Sequence, residues 1–188
     1  MPPPQTVEAL RSGRVDGFCA GAPWNAAAVA AGVGAMVHTS TDLRRDCPDK
    51  VLAWQADDLE RRPAAVQKLT AAILRASDWA CDPVNIPRFA AHLSAPDRLA
   101  LPVEILEPVL RFHLLQGAGR PPRQVERFIR FDRGALRPVP DHATWILAGM
   151  ERAGQIVQTP GMLEQARSVF RPAAFPGETG RSPSVPQE

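Results

Sequence analysis

The chain has 188 residues, enough to enclose a hydrophobic core, and 45% of them are apolar, as in an ordinary globular protein. Its 22 basic and 20 acidic residues leave a formal charge of +2, without the concentrated basic face that nucleic-acid binding demands, so no direct nucleic-acid binding is expected. Cys19, Cys47 and Cys81 are odd in number, scattered and without a Cys-x-x-Cys pair, which indicates neither a disulfide framework nor a zinc site and leaves buried or idle thiols as the expectation. No apolar run approaches the ~18 residues of a membrane-spanning helix, and Met1-Pro2-Pro3-Pro4-Gln5 is not a signal peptide. As written the chain is expected in the cytoplasm, and in the periplasm or at a membrane if a signal sequence precedes Met1.

Val7 and Leu10 stand three apart in a short amphipathic turn over 5–11, and Gly13 sits where a helix C-cap is expected. Val15, Phe18 and Cys19 form an apolar run of strand length, which Gly21 and Pro23 interrupt before Trp24. Ala26 to Ala31 form a helix-favouring run that Gly32 and Gly34 end. Residues 35–39 read as a short buried strand, with His38 as a hydrogen-bonded strand histidine rather than a ligand contact. Thr39 to Asp42 supply capping oxygens, ahead of a helical turn over 42–46. Val51 to Trp54 are the next strand candidate. Asp57, Asp58 and Glu60, followed by Arg61 and Arg62, match a helix dipole and read as a solvated helix start, since no base, nucleophile or metal motif accompanies them. Pro63 opens a long helix that carries Val66, Leu69, Ile73, Leu74 and Trp79 along one face.

Pro83, Pro87 and Pro96 divide the next stretch into short helices, one of them from Asn85 or Ile86 to Leu93. Residues 101–115 are apolar at helical spacing, with Pro108 expected to kink or divide the helix. Gly117-Ala118-Gly119 is followed by two prolines and has no third glycine, so it is a loop rather than a dinucleotide fingerprint, and no cofactor is expected. Phe128 to Phe131 alternate like a half-exposed strand. Asp141 reads as the N-cap of a helix with Trp145, Ile146, Met150 and Ala153 on its inner side and Gly154 at its end, so capping accounts for Asp141 and His142. Residues 171–188 are rich in Pro, Gly, Ser and charge and read as a disordered tail. Short apolar runs alternating with amphipathic ones predict an α/β fold, its parallel or mixed sheet built from 15–20, 35–39, 51–54 and 128–131.

Two segments carry a resemblance. Leu10-x-x-Gly13-x-Val15-Asp16-Gly17-Phe18 leads into Gly21-Ala22-Pro23-Trp24-Asn25, and far downstream stands Asp141-His142-Ala143-Thr144-Trp145 through Gly154. In that order they resemble the nitrate- and bicarbonate-binding proteins of ABC transporters, which have the type II periplasmic-binding-protein fold, and the related cytoplasmic nitrate sensors. The resemblance implies an incomplete type II fold. Residues 1–20 would be the end of the second lobe, 21–170 the returning half of the first lobe with the C-terminal helices, and 171–188 the tail. It implies a truncated member that begins in mid-fold.

By the same resemblance Gly21, Ala22, Trp24 and Asn25 would touch the ligand, a nitrate, nitrite or bicarbonate anion, with Trp24 at the edge of the cleft. Ala22 departs from the pattern, because transporter members place a charged side chain there. The function implied is solute binding without covalent chemistry or metal, in partnership with the transporter's membrane subunits. A second possibility is a cytoplasmic nitrate or nitrite sensor that sequesters an RNA-binding antiterminator. A thiol enzyme using Cys19 is a weaker alternative, since a thiol in an apolar strand is normally inert. Half a cleft supplies only part of the hydrogen bonds a hydrated anion needs, so weak binding and an uncovered apolar face are expected.

Overall fold

In the computed structural model, which describes residues 1–175, the chain divides into two units. One comprises Met1–Lys50 and Ser77–Asp132, the other Val51–Ala76 and, among the described residues, 133–175. The first unit contains α1 (Thr6–Arg11), α2 (Trp24–Ala30), α3 (Ser40–Leu43), the end of α5 (Pro63–Cys81), α6 (Ile86–Leu93), α7 (Val103–Leu110), β1 (His113–Leu114) and β2 (Arg123–Gln124). The second contains α4 (Ala56–Arg61), the start of α5, α8 (Arg133–Leu136), α9 (Asp141–Arg152) and α10 (Met162–Ser168).

Local chemistry explains most of these boundaries. Gly13 ends α1 with φ 70°, where the Arg14 amide donates back to the Ala9 carbonyl at 2.9 Å. Gly32 ends α2 likewise at φ 67°. A capping box starts α3, the Thr39 amide donating to Asp42 Oδ2 at 2.8 Å. Pro63 opens α5, as its fixed φ and missing N–H favour at a first helical turn. Pro108 does not divide α7, because the helix runs only two residues beyond it and few intrahelical bonds depend on its position.

The core of the first unit joins Ala26, Met36, Val109, Leu114 and Val125, with Ala22, Val29, Ile105, Phe128 and Ile129 packed around them. α6 lies against α7, and α2 contacts both α1 and α7. Trp79, Phe89 and Phe131 form an edge-to-face chain, with ring centroids 5.8 and 6.0 Å apart. In the second unit α9 packs on α10, Ala143 is buried, and Arg167 reaches Asp141 and Thr144. The His142 and Phe170 rings meet edge-on at 6.4 Å.

Several expectations are corrected. Among the described residues the ladder pairs are His113 with Gln124 and Leu114 with Arg123, antiparallel, and none of the four expected strands forms one. An apolar run becomes a strand only when a neighbour takes up its N–H and C=O groups. Val15 N reaches back to Ala9 O at 3.4 Å, and 35–39 meets a distant segment through Met36 N to Gln116 O at 2.9 Å, its other backbone bond closing the turn from Asp42 N to Thr39 O. Val51 is 71% exposed, and Phe128 turns back on Val125. Without a ladder at 15–20, Cys19 is exposed rather than held in an apolar strand, and His38 is exposed instead of bonded in a strand. Asp141 is not an N-cap, since Pro140 takes that place and the Asp141 carboxylate pairs with Arg167. The helix α10 was not expected from the sequence. Of the expected tail, 176–188 lie outside the described residues, and Pro172–Ala174 form a 3-10 turn.

Candidate anion site

The segment 21–25 folds as a tight turn into α2. The Ala22–Pro23 peptide is cis, and Trp24 N donates to Gly21 O at 3.4 Å. Ala22 packs into the core of the first unit and Pro23 is buried, so the turn is anchored from below. Trp24 begins the helix and stays half-buried, outside the set of core residues. Asn25 is half-buried too, its Oδ1 accepting from Ala26 N at 3.0 Å, which leaves its Nδ2 as a donor.

Lys50 was missed by the sequence reading. Its Nζ stands 3.1 Å from the point a Cβ on Gly21 would occupy, so the absent side chain at 21 leaves room for the ammonium against the backbone of the turn. Asp49 Oδ2 lies 3.0 Å from the same Nζ, in a pair more than 70% exposed on both sides and therefore a weak competitor for the charge. The available signal was compositional, Lys50 being one of two lysines in a chain whose other cations are arginine.

The stretch that leads to Lys50 is held by ion pairs. The Arg123 guanidinium, then the Thr39 amide, holds the Asp42 carboxyl well below the usual range. Burial opposes ionisation of Asp46, but hydrogen bonds from Arg127 and Arg130 outweigh it and lower its carboxyl too. A cavity of about 610 Å3 opens elsewhere in the same unit, lined by Ile86, Leu110, Phe112 and Phe131 with Arg127 and Arg130 at its wall, and it includes neither 21–25 nor Lys50. Partial desolvation, then the Asp132 charge, pushes the Cys81 thiol up at its edge. Among the described residues no His, Cys, Asp and Glu cluster could hold a metal ion, and no helix is long and apolar enough to cross a membrane.

The model of the NMT1-like family matches residues 1–94, a span that takes in the turn and Lys50. The chain belongs to the NMT1-like family. Over 96% of its length it is 30% identical to the nitrate import ATP-binding protein NrtC of Synechocystis sp., covering 27% of that protein. Over 99% it is 29% identical to the nitrate/nitrite binding protein NrtA of Synechococcus elongatus, covering 43%. The crystal structure of the periplasmic nitrate-binding protein NrtA from Synechocystis matches 93% of the chain with a TM-score of 0.83 at 24% identity, over 47% of its own length. This NMT1-like chain thus has part of the NrtA fold, a helix-rich α/β arrangement, and spans less than half the length of these relatives. The resemblance seen at 10–25 and 141–154 stands.

Proposed function

We propose that the chain supplies part of an anion site of the nitrate and bicarbonate class, formed by Gly21, Ala22, Trp24, Asn25 and Lys50. The observation that carries this reading is the Lys50 ammonium 3.1 Å from the place a Gly21 Cβ would take, beside the Trp24 turn. Ala22 brings no charge to the turn, and Lys50 brings one from a different part of the chain. A small oxyanion there exchanges water for ammonium and amide donors, Trp24 forms an apolar wall, and no bond is made or broken. The names of the NrtA relatives support the choice of anion.

In this reading residues 1–20 belong to one lobe and 21–170 to the other, and the chain works with the membrane subunits of a transporter. Because one chain supplies only part of the donor set, its affinity alone is on the order of millimolar. An NMR titration with nitrate, nitrite and bicarbonate, with chloride as control, tests it. Amide shifts at Gly21, Ala22, Trp24, Asn25 and residue 50 that vanish in Lys50→Gln are expected. Shifts confined to other residues, or unchanged by Lys50→Gln, would overturn the reading.

A further inference from the structure

Four arginines along 120–130 grip one stretch of chain, 36–46, in matching order. Arg120 Nη2 donates to the Met36 carbonyl at 2.5 Å. Arg123 forks Asp42, Nη1 donating to Oδ2 at 3.0 Å and Nη2 to Oδ1. Arg127 Nε donates to Asp46 Oδ1 at 3.1 Å, and Arg130 Nη1 donates to that same oxygen at 2.7 Å. Arg130 is itself fixed, its Nε and Nη2 held by Asp132 at 2.8 and 2.6 Å. Each step along the arginine side meets a step along the other or a second donor to the same carboxylate, which scattered surface pairs would not do. The row ends where direction matters. Asp46 turns the chain at φ 56°, and Lys50 follows four residues later with its ammonium against Gly21.

We infer that Asp42 and Asp46 are positioning residues, which dock 36–46 on the arginine row and so place Lys50 against the 21–25 turn. The inference rests on Lys50 as the anion contact. Neither carboxylate touches the anion; a negative charge there would repel it. Their role is to fix where the chain leaves the turn at 46, so that Lys50 presents its charge at one place instead of many. Asp42 is the more firmly held of the two, by the Arg123 fork and the Thr39 amide, while Asp46, shared by two guanidinium groups, sets the exit direction through its left-handed backbone.

Hydrogen exchange and the nitrate titration, both on the full chain, test this. Asp46→Asn keeps a residue that tolerates the left-handed backbone and removes only the charge, and Asp42→Asn removes the other anchor. In the double variant, exchange of the bonded amides at Met36, Thr39, Asp42 and Arg44 is expected to quicken about tenfold while 103–114 stay as protected as before. The nitrate-induced shift at Lys50 should shrink several-fold, and Asp46→Glu should restore part of it. Unchanged exchange at 36–44 in the double variant, or acceleration shared equally by 103–114, would overturn the positioning role. A wild-type chain with no nitrate response would instead sink the anion reading, and it would do so whatever the exchange pattern showed.

Discussion

Asp46 and Arg127 both hold left-handed backbone conformations, at φ 56° and 60°, and they close on each other through Arg127 Nε and Asp46 Oδ1 at 3.1 Å. Such a backbone costs a residue with a side chain about 1–3 kcal/mol. Aspartate tolerates it, whereas arginine gains nothing locally from it. The ion pair and the Arg130 contact to the same oxygen offset part of that cost.

Arg127→Gly and Arg127→Ala both remove the ion pair, but glycine also removes the backbone strain. The alanine variant is therefore expected to be the less stable of the two, by about 1 kcal/mol. Urea denaturation of the pair measures this. A glycine variant no more stable than the alanine one would mean that the left-handed turn at 127 carries no strain.

Acid should loosen the same region. The Asp42 carboxyl lies below its ordinary value of 3.8 in the folded chain, so between the two values the unfolded chain binds more protons than the folded one. The stabilisation is complete above about pH 5 and is lost as pH falls through 4 and below. Asp46 shifts in the same direction and adds to the slope. Urea midpoints taken from pH 6 down to pH 3 should fall more steeply for the wild type than for Asp42→Asn. Parallel curves would show that the Arg123 pair contributes nothing.

Two glycines in one loop separate strain from contact. Gly117 sits at φ 72°, and a Cβ there would stand 2.7 Å from the Gly34 carbonyl oxygen and 3.3 Å from the Ala35 Cα, both backbone atoms that cannot swing aside. Gly119 has nearly the same φ, 71°, but open space around it. Gly119→Ala is expected to cost about 1 kcal/mol and Gly117→Ala about 2 kcal/mol or more. Equal losses in thermal or urea unfolding would remove the case for close packing of 117 against 34–35.

What the sequence disclosed was mostly local. Glycines at 13, 32 and 154 marked helix ends, Thr39 and Asp42 announced a capping box, and α6 fell between Asn85 and Leu93 as its prolines required. These features depend on a few consecutive residues. Strands were illegible because Val15–Ala20 and Val51–Trp54 have strand-like side chains while strand identity belongs to a pair, and the hairpin that does form puts polar His113, Arg123 and Gln124 in its ladder. Trp24 and Gly21 were visible as a motif. Lys50 was not, because its relation to Gly21 joins positions 29 apart in the chain, and the Asp46–Arg127 pair spans 81.

Gly21→Ala offers a way to disturb the proposed site without disturbing the fold. Gly21 does not use the left-handed region, and the atom within 4 Å of a new Cβ is Lys50 Nζ at 3.1 Å, the far end of a flexible side chain. Stability should therefore change by no more than about 0.5 kcal/mol. The ammonium, however, must give way by a few tenths of an ångström and loses its close seat beside the turn, so the nitrate response at 21–25 is expected to weaken. If the two residues act through each other, adding Gly21→Ala to Lys50→Gln should cost nothing further, since the group that the methyl displaces is already gone. Titrating the wild type, both single variants and the double variant by NMR closes that cycle. An undiminished response in Gly21→Ala would show that Lys50 does not meet the anion at this turn, and additive losses would show that the two residues act separately.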